Sequence, residues 1–258
     1  MDLNLQQKLV MITGGSKGIG LACAQAFLAE GARVVISSRS PANLDAARQR
    51  LGAVAAIAAD LADADAAAAL VESVERDLGP IDVLVNSAGA ARRTPPDELN
   101  PAAWRAAMDA KYFTYINVID PLVKRMAARG SGVIVNVIGN GGKIAAPTHI
   151  AGGAANAALM LATAGLANAY ARYGVRVVGI NPGMTRTERV SEGMAAEARS
   201  AAISIDEALR RSEGSIPLGR MAEVEEIASM VVFLASAKAS YVTGANISMD
   251  GARFASVV

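Results

Sequence analysis

Residues 13–20 read TGGSKGIG, between an apolar run, KLVMITG at 8–14, and a helical pattern from about Gly18 to Glu30. A strand, a glycine-rich turn and a helix start, in that order, bring free backbone N–H groups and the positive end of a helix dipole to one point. That arrangement suits a pyrophosphate. Glycine makes the tight turn possible and lets a ligand come close to the backbone. A glycine-rich turn alone is a weak signal, and its place between strand and helix strengthens it. Gly14, Ser16, Lys17, Gly18, Ile19 and Gly20 are therefore expected cofactor contacts.

The second apolar run, ARVVIS at 32–37, is followed by Ser38 and Arg39. A carboxylate at that strand end would bind the adenine ribose hydroxyls and repel a 2′-phosphate. Two cations, Arg39 and Lys17, with no carboxylate favour the 2′-phosphate, so NADP(H) is expected over NAD(H).

Outward from this turn the same rhythm repeats. AVAAIAA at 53–59, IDVLVN at 81–86, GVIVNVI at 132–138, VRVVGIN at 175–181 and ANISMDG at 245–251 are short runs, most of them joined by helical patterns. Val- and Ile-rich runs, apolar on both faces, suit a buried parallel sheet with helices on both sides. The expected fold is α/β: a single-domain, Rossmann-like, doubly wound parallel sheet of about seven strands over residues 1–258. One helical region is expected to end near Arg129 and another to occupy 150–173. The connection from Met184 to Leu218 is long and charged, and is expected to cover a substrate. Its Met184 and Met194 are candidates either for an apolar pocket or for packing beneath the connection.

Composition narrows the classes. The net charge is +1 and 52% of residues are hydrophobic, so a substantial core is available and no nucleic-acid or anionic-membrane partner is expected. No uninterrupted apolar run of about 18 residues is seen, so no membrane span is expected. The N-terminus lacks the pattern of a signal peptide. Cys23 is the sole cysteine and is expected to be a buried, inert thiol. The expected compartment is the cytoplasm, and no metal is expected.

Several motifs, in order, resemble the short-chain dehydrogenase/reductase family over essentially the whole chain. TGGSKGIG is similar to the family's TGxxxGxG, ADL at 59–61 to its adenine contact, and NSAG at 86–89 to its NNAG. NPGMTRT at 181–187 is similar to its PGxxxT, and residues 217–236 and 241–251 to its last helix and strand. The resemblance implies cofactor contacts at Asp60, Leu61, Asn86, Ala88, Gly89, Pro182, Gly183, Thr185 and Thr187. It also implies a homodimer or homotetramer built on helices 101–129 and 150–173, and a small carbonyl or alcohol substrate.

The family's Asn-Ser-Tyr-Lys tetrad is absent. The matching positions hold Lys111, Gly139, Gly152 and Asn156. Asn and Lys look exchanged, so the cation is expected to be moved rather than lost, with Lys111 entering the space at 156 and either hydrogen-bonding the cofactor ribose or stabilising a developing alkoxide. The only histidine, His149, lies about one helical turn from Gly152 and is of a type that exchanges protons near neutrality. Asn140 is a candidate amide donor to a substrate carbonyl. Catalytic candidates are thus Lys111, His149, Asn140 and Asn156. Tyr112 and Tyr115 are expected to be core or interface aromatics. The glycines at 139, 141, 142, 152 and 153 are expected to widen the floor of the cleft. Two functions follow: an NADP(H)-dependent oxidoreductase with an altered proton path, or a catalytically silent NADP(H)-binding sensor or structural subunit.

Overall fold

The computed structural model describes residues 2–254, apart from 90, 189, 191–193, 195–197 and 199–202. Among these residues, seven strands form one parallel sheet in the order β3-β2-β1-β4-β5-β6-β7. They are β1 (Leu9–Thr13), β2 (Arg33–Ser38), β3 (Ala55–Ala58), β4 (Val83–Asn86), β5 (Gly132–Val137), β6 (Val175–Pro182) and β7 (Asn246–Met249). The order reverses between β1 and β4. In such sheets the crevice at the strands' C-terminal ends opens at that point.

Period-two alternation divides the strands between two cores. Val10 and Ile12 of β1 pack with α1 (Gly18–Ala29) and, through Ile227 and Val231, with a later helix, α8 (Val224–Ala235). Leu9 and Met11 pack on the other face, with α3 (Ala64–Leu78) and α5 (Thr114–Ala128). The expected doubly wound architecture is the observed one.

Local chemistry sets the helix starts. Ser40 accepts from Asn43 N at the head of α2 (Pro41–Leu51), and Asn100 accepts from Ala103 N at the head of α4 (Pro101–Met108). Each of these helices has proline in its first turn, where the missing N–H costs nothing. Glu223 and Glu226 close a capping box on α8.

The expected helical region ending near Arg129 is present and contains a change of winding. A π-helical turn, Asp109–Phe113, separates α4 from α5 and carries Lys111. The second expected helix is α6 (Ile150–Tyr170), followed by a 3₁₀ turn. The segment Ile150–Tyr173 contains an 18-residue window of mean hydropathy 1.5 and is, by length and composition alone, long and apolar enough to cross a membrane. Its scattered polar residues hide this from a search for uninterrupted runs. In the fold, α6 packs on β6, α4 and the turn at 139–142. Within the connection 184–218 one helix is described, α7 (Ile205–Gly214); much of 189–202 lies outside the described residues.

Candidate active site

The phosphate turn is built by close contact. Gly14 has φ +66°, and a Cβ there would stand 2.7 Å from Ser87 O; one at Gly20 would stand 2.2 Å from Gly14 O. Only glycine allows the turn to fold back on α1 in this way. Lys17 precedes α1 and makes no side-chain capping hydrogen bond to it, leaving the helix N-terminus without a cap from that residue. The turn fits a pyrophosphate. Ser16 is buried, while Ile19 is half-buried and packs against the core.

Beside it, Thr13 Oγ1 accepts from Ser87 N and Ala88 N at 3.2 and 3.3 Å and donates to Asn86 Oδ1 at 3.2 Å. Asn86 Nδ2 donates to Asn136 Oδ1, and Asn136 Nδ2 donates to Thr163 Oγ1, each at 3.0 Å. This buried chain runs from the phosphate turn across β4 and β5 to α6. Asn86 acts as an internal tie in it. Thr13, Asn136 and Thr163 were not singled out from sequence, although Thr13 and Asn136 are polar residues near the ends of otherwise apolar strands. Gly89 has φ +86°, and its missing Cβ admits Ala110 O at 2.1 Å from where that atom would be.

At the adenine end, Ser38 is half-buried and accepts from Ser40 N, and Arg39 is exposed. Asp60 is also exposed; its Oδ1 accepts from Ala62 N, and Leu61 beside it is buried. Lys17 is exposed too. Its ammonium lies 3.4 Å from Glu188, an exposed pair of little energetic weight.

At the other end, Pro182 closes β6, and a Cβ on Gly183 would stand 2.8 Å from Asp250 Cβ. Thr185 is buried and donates to Gly183 O at 3.4 Å. The Thr187 methyl lies 3.5 Å from where a Cβ on Gly18 would be. The segment after β6 therefore reaches the phosphate turn at Thr187. Met184 lines a cavity of about 250 Å³ with Ile216, Leu218, Ile227 and Met249. Met194 is buried with Ile216 and Met221 and so packs beneath the connection.

The floor of the cleft departs from several expectations. Lys111 is buried, and its ammonium donates to Tyr115 Oη at 2.8 Å and to Val137 O at 3.1 Å. It reaches the end of β5, two residues before Gly139. Tyr115 is fully buried and donates to the same carbonyl at 2.5 Å, and burial raises its phenol far above the ordinary value. It is a core residue; Tyr112 packs at the edge of the same cluster.

Asn140 does not present its amide to the cleft. Nδ2 donates to Asp250 Oδ2 at 2.6 Å, because the 139–142 turn docks against the end of β7. The glycines do not widen the floor either. A Cβ on Gly142 would meet Ala157 N at 2.7 Å, and one on Gly153 would meet Gly141 O at the same distance. Their absence lets the turn press directly onto the backbone of α6. At Gly152 the space is filled by His149, whose ring atoms lie 2.2–2.8 Å from the Cβ position; the same ring fills the space at Gly141. Only Gly139 leaves room, and there the neighbour is Asn156 Nδ2, 3.4 Å from the Cβ position. Asn156 is buried and points at the 139–141 turn. Its place is thus filled by its own amide, while the described bonds of Lys111 hold that ammonium to Tyr115 and β5.

Comparison with known proteins agrees with this geometry. A family model described as enoyl-(acyl carrier protein) reductase matches residues 14–252. The gluconate 5-dehydrogenase of Gluconobacter oxydans is 33% identical over 245 residues, 93% of this chain and 92% of that protein. The L-tagatose-forming galactitol 2-dehydrogenase of Cereibacter sphaeroides is 38% identical over 244 residues, with 93% and 92% covered. The crystal structure of L-sorbose reductase from Gluconobacter frateurii, complexed with NADPH and L-sorbose, superposes with a TM-score of 0.93 at 29% identity, covering 100% of both chains. With a phosphate turn at the switch point of a seven-stranded sheet and relatives spanning nearly its whole length, the chain belongs to the short-chain dehydrogenase/reductase family of oxidoreductases.

Proposed function

We propose that this protein is an NADP(H)-dependent oxidoreductase for a carbonyl/alcohol pair, with His149 and Lys111 serving the proton path that a Tyr and a Lys serve elsewhere in the family. The observation that carries the reading is the His149 ring standing in the volume of a side chain at 152. Bound NADPH supplies a hydride to a carbonyl carbon. His149 holds the proton that the resulting alkoxide takes up. Lys111, held at Val137 O, puts positive charge near the point where that alkoxide forms. Asn140, bonded to Asp250, and Asn156, set against the 139–141 turn, hold the floor in position. Gly14, Ser16, Lys17, Gly18, Ile19 and Gly20 cradle the pyrophosphate, and Ser38 with Arg39 receives the 2′-phosphate. Asp60 and Leu61 bound the adenine, Ala88 and Gly89 follow the ribose, and Pro182, Gly183, Thr185 and Thr187 hold the nicotinamide end. The 184–218 connection covers the substrate.

Loss of NADPH absorbance with a panel of ketones, diketones and quinones tests this reading. Turnover is expected, reduced about 100-fold or more in His149→Ala or Lys111→Ala. Equal rates in both variants and wild type would refute the assigned roles. The second reading, a silent NADP(H)-binding protein, draws on the replacement of all four tetrad positions; it predicts cofactor affinity with no turnover. Association into a dimer or tetramer through α4–α6 accords with Trp104, Phe113 and Leu161 being exposed there. A cytoplasmic site of action accords with the lone, buried cysteine.

A further inference from the structure

We infer that the substrate carries an anionic head group, a carboxylate or a phosphate, received by Arg92 and Arg93 at the mouth of the cleft. The inference rests on the cleft around His149 being the substrate site.

The segment after β4 is pinned on both sides of this pair. Ala91 is buried with Ala107 of α4 and Ala151 of α6. Thr94 N donates to Thr148 O at 2.9 Å. Arg93 Nη1 lies 3.4 Å from Thr148 Oγ1, one residue from His149. Both arginines are exposed, and among the described residues neither forms an ion pair. Asp97 and Glu98 follow on the next turn, also exposed and forming no described ion pair with them.

Most exposed arginines are simply solvated. Here a backbone hydrogen bond and a buried alanine fix the backbone on either side of the pair, and Arg93 reaches Thr148, the neighbour of the only histidine. A guanidinium matches a carboxylate or phosphate through two parallel N–H donors, whereas a neutral polyol gains little from adjacent cations. An anion held there leaves the rest of a short substrate to reach His149.

The test uses matched probes: acetoacetate against methyl acetoacetate, and dihydroxyacetone phosphate against dihydroxyacetone. Two readouts are taken on protein saturated with cofactor. One is NADPH oxidation. The other is the NMR signal of the imidazole, unique because the chain has one histidine. The acidic member of at least one pair is expected to show the higher kcat/KM and to shift the imidazole signal saturably. That preference is expected to fall about tenfold or more in Arg92→Gln/Arg93→Gln. A preference for the carboxylate pair or for the phosphate pair distinguishes the two head groups.

Turnover with no acid preference, or a preference unchanged in the double variant, overturns the inference and leaves the oxidoreductase reading intact. Absence of turnover with an acid-specific imidazole shift that the double variant loses does the reverse. An imidazole indifferent to both acids, with no turnover, overturns both.

Discussion

His149 and Gly152 share one volume: a Cβ on residue 152 would fall 2.2 Å from the imidazole Cε1. A ring from the helix cap thus fills the place where a side chain on the helix would begin. Gly152→Ala adds a single methyl group, removes no polar atom, and forces the imidazole aside. Alanine in a helix gains up to about 1 kcal/mol over glycine. The variant is thus expected to keep or raise the melting temperature while losing turnover to the level of His149→Ala. Full turnover in Gly152→Ala would show that the ring position is irrelevant to the chemistry.

Arg39 stands exposed at the end of β2 with no carboxylate beside it in sequence. Arg39→Asp is expected to weaken NADPH binding about tenfold or more, and to favour NADH through the ribose hydroxyls. Fluorescence titration with both cofactors gives the ratio. A ratio equal to that of wild type would remove Arg39 from the 2′-phosphate site.

Tyr115 accepts from Lys111 and donates to Val137 O inside the core. Tyr115→Phe preserves the ring packing and removes the hydroxyl. The expected loss is about 1–3 kcal/mol of unfolding free energy, measured by urea titration at unchanged slope. A loss near zero would mean that Lys111 and the carbonyl satisfy each other once the hydroxyl is gone.

Gly89 combines φ +86° with a Cβ position 2.1 Å from Ala110 O. Neither backbone can yield cheaply, because one is set by the turn after β4 and the other by the π-helical turn. Gly89→Ala is expected to destabilise by roughly 3 kcal/mol, seen as a lowered denaturation midpoint. A midpoint matching wild type would show that the two turns separate easily.

Glu226 is held at about 2, below its ordinary value of 4.5, by its hydrogen bond to Arg220 and then by Glu223 N. A depressed carboxyl stabilises the fold fully above its unfolded value and loses that contribution as pH falls through the folded one. Glu226→Gln retains a capping acceptor and removes the charge. The gap in melting temperature between wild type and variant is expected to be constant from neutrality to about pH 5 and to close between 4.5 and about 2. A gap that persists at pH 2 would assign the effect to shape rather than charge.

The strand runs and the glycine turn after β1 were legible along the chain, since apolar periodicity and turn chemistry are local properties. The change of winding at 109–113 was not, because a π-helical turn leaves the apolar pattern nearly unaltered. The fate of Asn140 was not legible either, because its partner, Asp250, lies 110 residues away.

Sequence by itself determined the alternation of strands and helices, the phosphate turn, and the residue types available for chemistry. The tertiary structure decided what those residues face. Docking of the 139–142 turn on α6 turned a row of glycines from open floor into close backbone contact. His149 stands over Gly152 within the first turn of α6, while the π-helical turn delivered Lys111 to the end of β5. The physical reason is that a hydrogen bond or a filled volume needs two elements brought within a few ångströms of each other, and neither element's sequence specifies that distance alone.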